Sequence, residues 1–362
     1  MSGTSLDGVD GVLVDLSQGC RLRAHVHQAF APALREELFA LNRPGGHDEL
    51  HRAALAANGV ADAYAEVLSA LLRTAEVPAS AVRAVGAHGQ TVRHQPAGRG
   101  YTLQLLNAAR LAEAGGIDVV ADLRSRDVAA GGQGAPLVPA FHAAVFGRPG
   151  VDVAVLNLGG IGNLSLLPAS ASATVPVRGF DIGPANALMD HWAQHHLGQP
   201  YDAEGAWAAQ GQAHSALLQD LLAEPYFDAP PPKSTGRDLF ESGWLALHLA
   251  RWPGLAPVDV QATLLALTVQ SVVQALRRHA PETAVLRVCG GGAHNRTLMS
   301  QLAAALPGVD VQDTGADGVA PAHVEALAFA WLAKAFVERR PGNLPAVTGA
   351  AGPRLLGALY PA

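Results

Sequence analysis

Three glycine-rich turns carry the chemistry that can be read first from this chain. Met1 to Gly11 (MSGTSLDGVDG) runs directly into the strand-like Val12 to Leu16. Glycines there let backbone N–H groups curl around an anion, and Ser2, Thr4 and Ser5 add short hydroxyl donors. Asp7 and Asp10 are spaced to reach a hydrated cation that bridges phosphates. A second turn of similar design, Asn157 to Asn163 (NLGGIGN), follows the apolar run Val151 to Leu156 and feeds Leu164 to Leu167. A third cluster, Gly290, Gly291 and Gly292, ends the buried-looking Val285 to Cys289. Bare backbone there can approach a phosphate or a flat ring, although a close-packed strand-to-helix turn reads equally well. Two such hairpin turns, one in each half, predict a duplicated fold gripping one polyphosphate from both sides.

The fingerprints of other nucleotide binders are missing. Lys233-Ser234-Thr235 has the tail of a P-loop without its upstream glycine, and neither glycine cluster spells GxGxxG.

Asp181, in Gly179 to Asn186 (GFDIGPAN), reads as the end of a short apolar strand, with Pro184 starting a helix just after it. A helix N-terminus nearby would hold the carboxylate ionised, able to accept a proton from an attacking water or to cap the helix. Asp122, Arg124, Arg126 and Asp127 alternate as a solvated loop or internal salt-bridge cluster would. Glu325 opens a helix and reads as a dipole partner or a hydroxyl contact. His88 and His94 match no zinc spacing, and His88 to Thr91 reads as a polar loop after a strand. Lys233 sits in a proline-rich loop, Pro225 to Arg237, where a lone lysine is solvated or meets an anion.

The elements that must position these residues alternate between strand and helix. Apolar spacing predicts helices from about His47 to Ala75, over Val138–Val145, near Val260–Arg278 and near Val324–Val337. Strands are expected at Arg21–His27, Val82–Ala87, Thr102–Leu105, Val119–Ala121, Val153–Leu156, Leu164–Leu167 and Val285–Val288. At 362 residues two domains are expected, and 49% hydrophobic with 5% aromatic residues implies a core of small aliphatics. The net charge of −6, with no basic block, argues against nucleic acid. Cys20 and Cys289 lie far apart, which excludes a disulfide framework and fits a reducing compartment, with Cys289 read as a small packing residue. No run suggests a signal peptide or a membrane span, so the expected location is cytoplasmic.

With these residues in view, the chain resembles the anhydro-N-acetylmuramic acid kinase family of the actin-like, sugar-kinase and heat-shock ATPase superfamily. The ordered blocks are MSGTSLDGVD at 1–10, GAHGQTVRHQP at 86–96, ADLRSRDVAAGGQGAPLVPAFH at 121–142, NLGGIGN at 157–163, GFDIGPANALMD at 179–190, PPKSTGR at 231–237, CGGGAHN at 289–295 and EALAFAWLA at 325–333. The resemblance implies an α/β fold with two actin-like (ribonuclease H-like) domains around a nucleotide and sugar cleft. The expected boundaries are 1–133 with the tail 341–362 for the first domain and 134–340 for the second.

The implied activity is ATP- and magnesium-dependent opening of the 1,6-anhydro ring with phosphorylation of O6, giving N-acetylmuramic acid 6-phosphate in peptidoglycan recycling. Asp181 would be catalytic. Gly3, Thr4, Ser5, Leu6, Asp7, Gly8, Val9, Asp10, Gly160, Gly162, Asn163, Gly290, Gly291, Gly292 and Asn295 would hold the nucleotide. His88, Arg124, Lys233 and Glu325 would meet the sugar, and Asp7 and Asp10 would hold magnesium through water. The partners would be small molecules, with no nucleic acid or membrane, in a homodimer. Another actin-like sugar kinase or phosphohydrolase, or a nucleotide-binding regulator without turnover, stays open as an alternative. Two departures stand out. Family members carry several residues ahead of MSGTS that complete a first strand, and Leu105-Leu106-Asn107 replaces the more usual Ile-Gly-Asp or Ile-Gly-Asn.

Overall fold

The structure is a computed structural model that describes the chain apart from Thr4, Ser5, Ala173, Thr174, Gly236, Arg237 and Asp238. The expectations for Thr4 and Ser5 lie outside the described residues. The chain forms two compact α/β units, Met1–Val145 with His323–Ala362, and Phe146–Ala322. The expected boundaries at 133/134 and 340/341 compare with 145/146 and 322/323 here. The later return falls earlier because helix Val324–Val337 packs on strands of the first unit.

In the first unit, β1 (Gly8–Asp15) and β2 (Arg21–Ala29) form an antiparallel hairpin. A separate sheet joins β3 (Val85–Gly86), β6 (Val119–Ala121) and β12 (Ala358–Tyr360), with β3 parallel to β6 and β12 antiparallel to it. Between them in sequence, β4 (Gln90–Gln95) and β5 (Tyr101–Leu105) make a second hairpin. Helix Glu49–Ala75 lays Val60, Tyr64, Val67 and Leu71, spaced by three or four, onto β1 and β2.

The second unit has one five-stranded sheet, in the order β11-β10-β7-β8-β9, built from β7 (Val153–Leu158), β8 (Ile161–Leu167), β9 (Arg178–Pro184), β10 (Val285–Cys289) and β11 (Asp310–Asp313). Here β7 is antiparallel to β8 and parallel to β10. Strands covered on both faces are rich in apolar residues, which is why β7 stands out in the sequence, and β10 too although Arg287 is buried within it. Helix Pro257–His279 is long and apolar enough to cross a bilayer, contrary to the expectation that no run is. It is a core helix, with Val260, Leu264, Leu267 and Val272 buried against neighbouring helices and β9.

Two local expectations change. Gln90 to Gln95 is a strand where a polar loop was expected after His88, because its alternation pairs with β5. Pro225–Asp228 forms one helical turn at the start of the expected loop, with Pro225 in the first turn.

Candidate active site

In the second unit, β7, β8, β9 and β10 end together. Asn163 of β8 faces Asp181 of β9 and Asn157 of β7, and Asn157 is in turn opposite Cys289. The tight turn at Gly159 and Gly160 lets their carbonyls accept from the Asn186, Ala185 and Ala187 N–H groups at the start of the helix that follows β9. Gly290 has φ +78°, and a Cβ on it would stand 2.5 Å from Asn157 Oδ1. At Gly292 a Cβ would meet Leu158 Cβ at 2.5 Å. The triple glycine therefore packs closely against the end of β7, as the strand-to-helix reading of it expects. Asn295 is drawn off to another task, since its side chain caps helix Arg296–Ala305 by accepting from Leu298 N–H at 2.9 Å.

Asp181 lies inside β9, not at its end, and its neighbours are the residues after the Pro225–Asp228 turn. Its N–H donates to Lys233 O at 3.2 Å, and Thr235 N–H donates to its Oδ2 at 3.0 Å. Tyr226 OH donates to the Asp181 carbonyl at 2.9 Å. Oδ1 has no hydrogen-bond partner among the described residues. Burial pushes the carboxyl above its ordinary value, and the Thr235 N–H opposes that rise. The direction is opposite to the one expected: burial makes the group more basic than usual. Lys233 Nζ donates to the carbonyls of Tyr226 at 2.9 Å and Phe227 at 3.2 Å, and stands 4.7 Å from the Tyr226 ring centre. One ammonium proton is left for an outside acceptor.

In the first unit, side chains hold the candidate residues. Ser2 is buried and its hydroxyl donates to Gly89 O at 2.9 Å, so it is spent on the fold instead of being offered to an anion. Leu6 and Val9 are also core residues, leaving only their backbone for a ligand. Gly8 allows close approach of the hairpin, since a Cβ there would lie 2.2 Å from Gln28 O. Asp7 is exposed. Asp10 Oδ1 lies 2.9 Å from His27 Nδ1 and 3.4 Å from His25 Nε2, with Oδ2 unpartnered among the described residues. Two carboxylates with open oxygens fit a hydrated magnesium ion.

His88 and Arg124 are joined by a hydrogen bond inside this unit. Arg124 Nε donates to His88 Nε2 at 3.0 Å and Nη1 to Gly134 O at 2.7 Å. Because arginine only donates, the ring proton of His88 must sit on Nδ1, where it meets Ser2 O at 3.1 Å. Burial keeps His88 neutral, well below its ordinary value, with the Arg124 charge adding to that. Burial also lowers Arg124 to about 10, while Glu325 and Asp127 act against it. Arg124 Nη2 has no hydrogen-bond partner among the described residues. Of the two readings of this stretch, solvated loop or internal salt-bridge cluster, the second finds no ion pair among Asp122, Arg124, Arg126 and Asp127 within the described residues. Asp127 is buried instead and accepts from Gly134 N–H, Thr348 Oγ1 and Asn343 Nδ2 at 2.7 to 2.8 Å, fixing the loop that carries the Arg124 acceptor.

Ser2, Asp127, Tyr226 and Thr235 went unnoticed as supports. Only the KST tail of Lys233 to Thr235 pointed toward one of them.

The profile of the family described as anhydro-N-acetylmuramic acid kinase matches residues 1–362. A protein of that name from Variovorax paradoxus is 59% identical over 367 residues, covering 100% of this chain and 98% of its own length. Another from Cupriavidus metallidurans is 57% identical, at 100% and 96% coverage, and one from Bordetella petrii is 59% identical, at 100% and 95%. With the whole chain matched at this identity, the chain belongs to the anhydro-N-acetylmuramic acid kinase family.

Proposed function

We propose that this enzyme uses ATP and water to convert anhydro-N-acetylmuramic acid into N-acetylmuramic acid 6-phosphate and ADP. The observation that carries the reading is the Asp181 carboxylate: Oδ2 is fixed by a main-chain N–H, Oδ1 is open, and burial raises its basicity. Such a group can take a proton from a water attacking C1 as the C1–O6 bond breaks. O6 then receives the γ-phosphoryl group and ADP departs, so one water and one phosphoryl group enter the product. Arg124 offers Nη2 to the lactyl carboxylate of the sugar, with His88 setting its orientation. Glu325 and Lys233 serve sugar hydroxyls or anionic groups.

The turns Gly3 to Asp10 and Gly160 to Asn163 hold phosphates through backbone N–H groups, and Gly290 to Gly292 receive the adenosine side. Asp7 and Asp10 hold magnesium through water, which offsets phosphate charge. The same reading has the enzyme act in the cytoplasm as a homodimer.

The geometry of the sugar gives the test. O6 is tethered to C1 on the β face, so a water held by Asp181 approaches from the opposite face, and one displacement gives one inversion. Early proton NMR should show the α-anomer before mutarotation, with labelled water oxygen at C1 and the bridging oxygen kept at O6. A β-anomer, or label in the phosphate ester, would rule out direct attack by that water. ADP release without sugar would instead favour a phosphohydrolase.

A further inference from the structure

The centre of β10 carries a charge where the fold asks for none. All five residues of Val285–Cys289 are buried, and Arg287 among them is only 3% exposed. Its guanidinium is bound through all three nitrogens. Nε donates to Asp317 Oδ2 at 2.8 Å, Nη2 to Asp310 Oδ2 at 3.0 Å and Nη1 to the Asp310 carbonyl at 3.2 Å. Arg148 Nη2 donates to the remaining Asp317 oxygen, Oδ1, at 2.6 Å. Burying such a group is costly, and an apolar side chain of similar volume in its place is often as stable or more so. Stability alone does not account for Arg287. What the arginine adds is a planar fork that fixes the carboxylates it meets.

Those two carboxylates differ in what else holds them. Asp310 belongs to β11, which is already paired with β10 from Val285 and Asp310 to Val288 and Asp313. Asp317 lies beyond the sheet, at the end of the short helix Thr314–Asp317. The chain then turns at Gly318, with φ +78°, and meets the end of β10 again at Pro321, whose carbonyl accepts from Gly290 N–H at 3.2 Å. Residues 314 to 321 are thus a strap, fixed at Arg287 and at the first glycine of the triple-glycine turn. Between those points the strap is braced. Gly318 N–H donates to Gly315 O at 2.9 Å and Val319 N–H to Thr314 O at 3.1 Å, and Val319 is buried. A shift of Asp317 is therefore carried to Pro321.

We infer that Arg287 is a positioning residue for the nucleotide. By holding Asp317 it fixes the strap whose Pro321 carbonyl takes the Gly290 N–H, and so sets where the triple-glycine turn stands to receive the adenosine side, a role that rests on the placement of adenosine proposed above. Arg148 serves the same carboxylate from the opposite oxygen.

Two substitutions in the whole enzyme separate positioning from ion pairing. Asp317→Asn and Asp310→Asn each remove one charge that faces Arg287, but only the first loosens the strap. In Asp317→Asn, hydrogen exchange at the Gly290 amide should speed up about tenfold, and the Kd for ADP by titration calorimetry should rise roughly fivefold, with the KM for the sugar unchanged. Asp310→Asn should leave Gly290 exchange and ADP affinity as they were, whatever it costs in Tm. Unchanged Gly290 exchange in Asp317→Asn, or the same loss of ADP affinity in both variants, would overturn the role of Arg287. The placement of adenosine has its own probe. Gly291 is exposed, and a Cβ on it would meet only Asn186 Nδ2, at 3.8 Å, so Gly291→Val crowds a ligand without crowding the fold. Weaker ADP binding in Gly291→Val but not in Asp317→Asn would overturn the positioning role and leave the placement standing. Unchanged ADP binding in both would overturn the placement, and the positioning role with it.

Discussion

The two units share a strand plan but differ in how they fix their polar residues. In the second unit Asp181 sits on the edge strand of a continuous sheet and is held by main-chain groups, through Lys233 O and Thr235 N–H. In the first unit Arg124 is held by a relay of side chain and backbone, Arg124 to His88 to Ser2 O, with Asp127 bracing the loop that supplies Gly134 O. A main-chain anchor survives replacement of the side chain beside it; a side-chain relay does not. The sheets differ in the same sense. Beside β7, all of β10 and Leu164 to Leu167 of β8 are buried, while β3 and Gly11 to Val14 of β1 line a cavity of about 700 Å³ and are half-exposed.

The largest effect is expected at the base itself. Asp181→Asn keeps the Thr235 contact but cannot take a proton, so turnover should fall by roughly 10²–10⁴-fold with folding and ATP binding nearly unchanged. Coupled ADP release and a nucleotide titration check both halves, and retention of more than a small fraction of the activity would remove Asp181 from the role. The pH dependence has a definite sign. Asp181 works ionised and its value is raised by burial, so kcat/KM should drop as pH falls through that raised value, sooner than an ordinary aspartate would allow.

The contrast between a closed and an open sheet comes next. Leu156 is fully buried at the centre of β7. Leu156→Ala should cost about 2–5 kcal/mol by lost burial and the cavity left behind. Val12 of β1 is half-buried beside the cavity, so Val12→Ala should cost about 1 kcal/mol or less. Denaturant titration of both variants measures the gap, and equal losses would mean that the cavity does not weaken the first unit.

What the sequence made legible follows the same physics. The apolar spacing alone bounds helix Val324–Val337, and runs rich in aliphatic residues mark β7 and, despite the buried Arg287 at its centre, β10. The strand β9 runs on through Pro184, past the end expected at Asp181, because Pro184 reads as the start of a helix that begins only at Asn186. Gly183 carries φ +125° within that strand, and a Cβ on it would meet Phe227 Cε1 at 2.6 Å, a packing demand with no signature in local sequence. The support of Asp181 by Thr235 was illegible for a related reason. A backbone N–H is offered by every residue except proline, so only the fold says which one meets the carboxylate. The run HGQT reads as a sugar contact or a brace, and only the fold shows which groups His88 braces, Ser2 O on one side and Arg124 on the other.

The smallest effects test the difference in anchoring directly. His88→Ala removes an acceptor from Arg124 Nε and a donor from Ser2 O at a buried position, so about 1–3 kcal/mol of stability should go, with a rise in the KM for the sugar as Arg124 loses its orientation. Thr235→Val should do little by comparison. The main-chain N–H that holds Asp181 Oδ2 remains, and the side chain keeps its shape. The hydroxyl it loses is buried and has no hydrogen-bond partner among the described residues, so its removal relieves a desolvation penalty instead of breaking a bond. Stability should hold or rise by about 1 kcal/mol in thermal unfolding, and kcat should stay within a few-fold. A steep fall in kcat with unchanged stability would show that the unpartnered hydroxyl meets the reacting water, and the second unit would then depend on a side chain as the first one does.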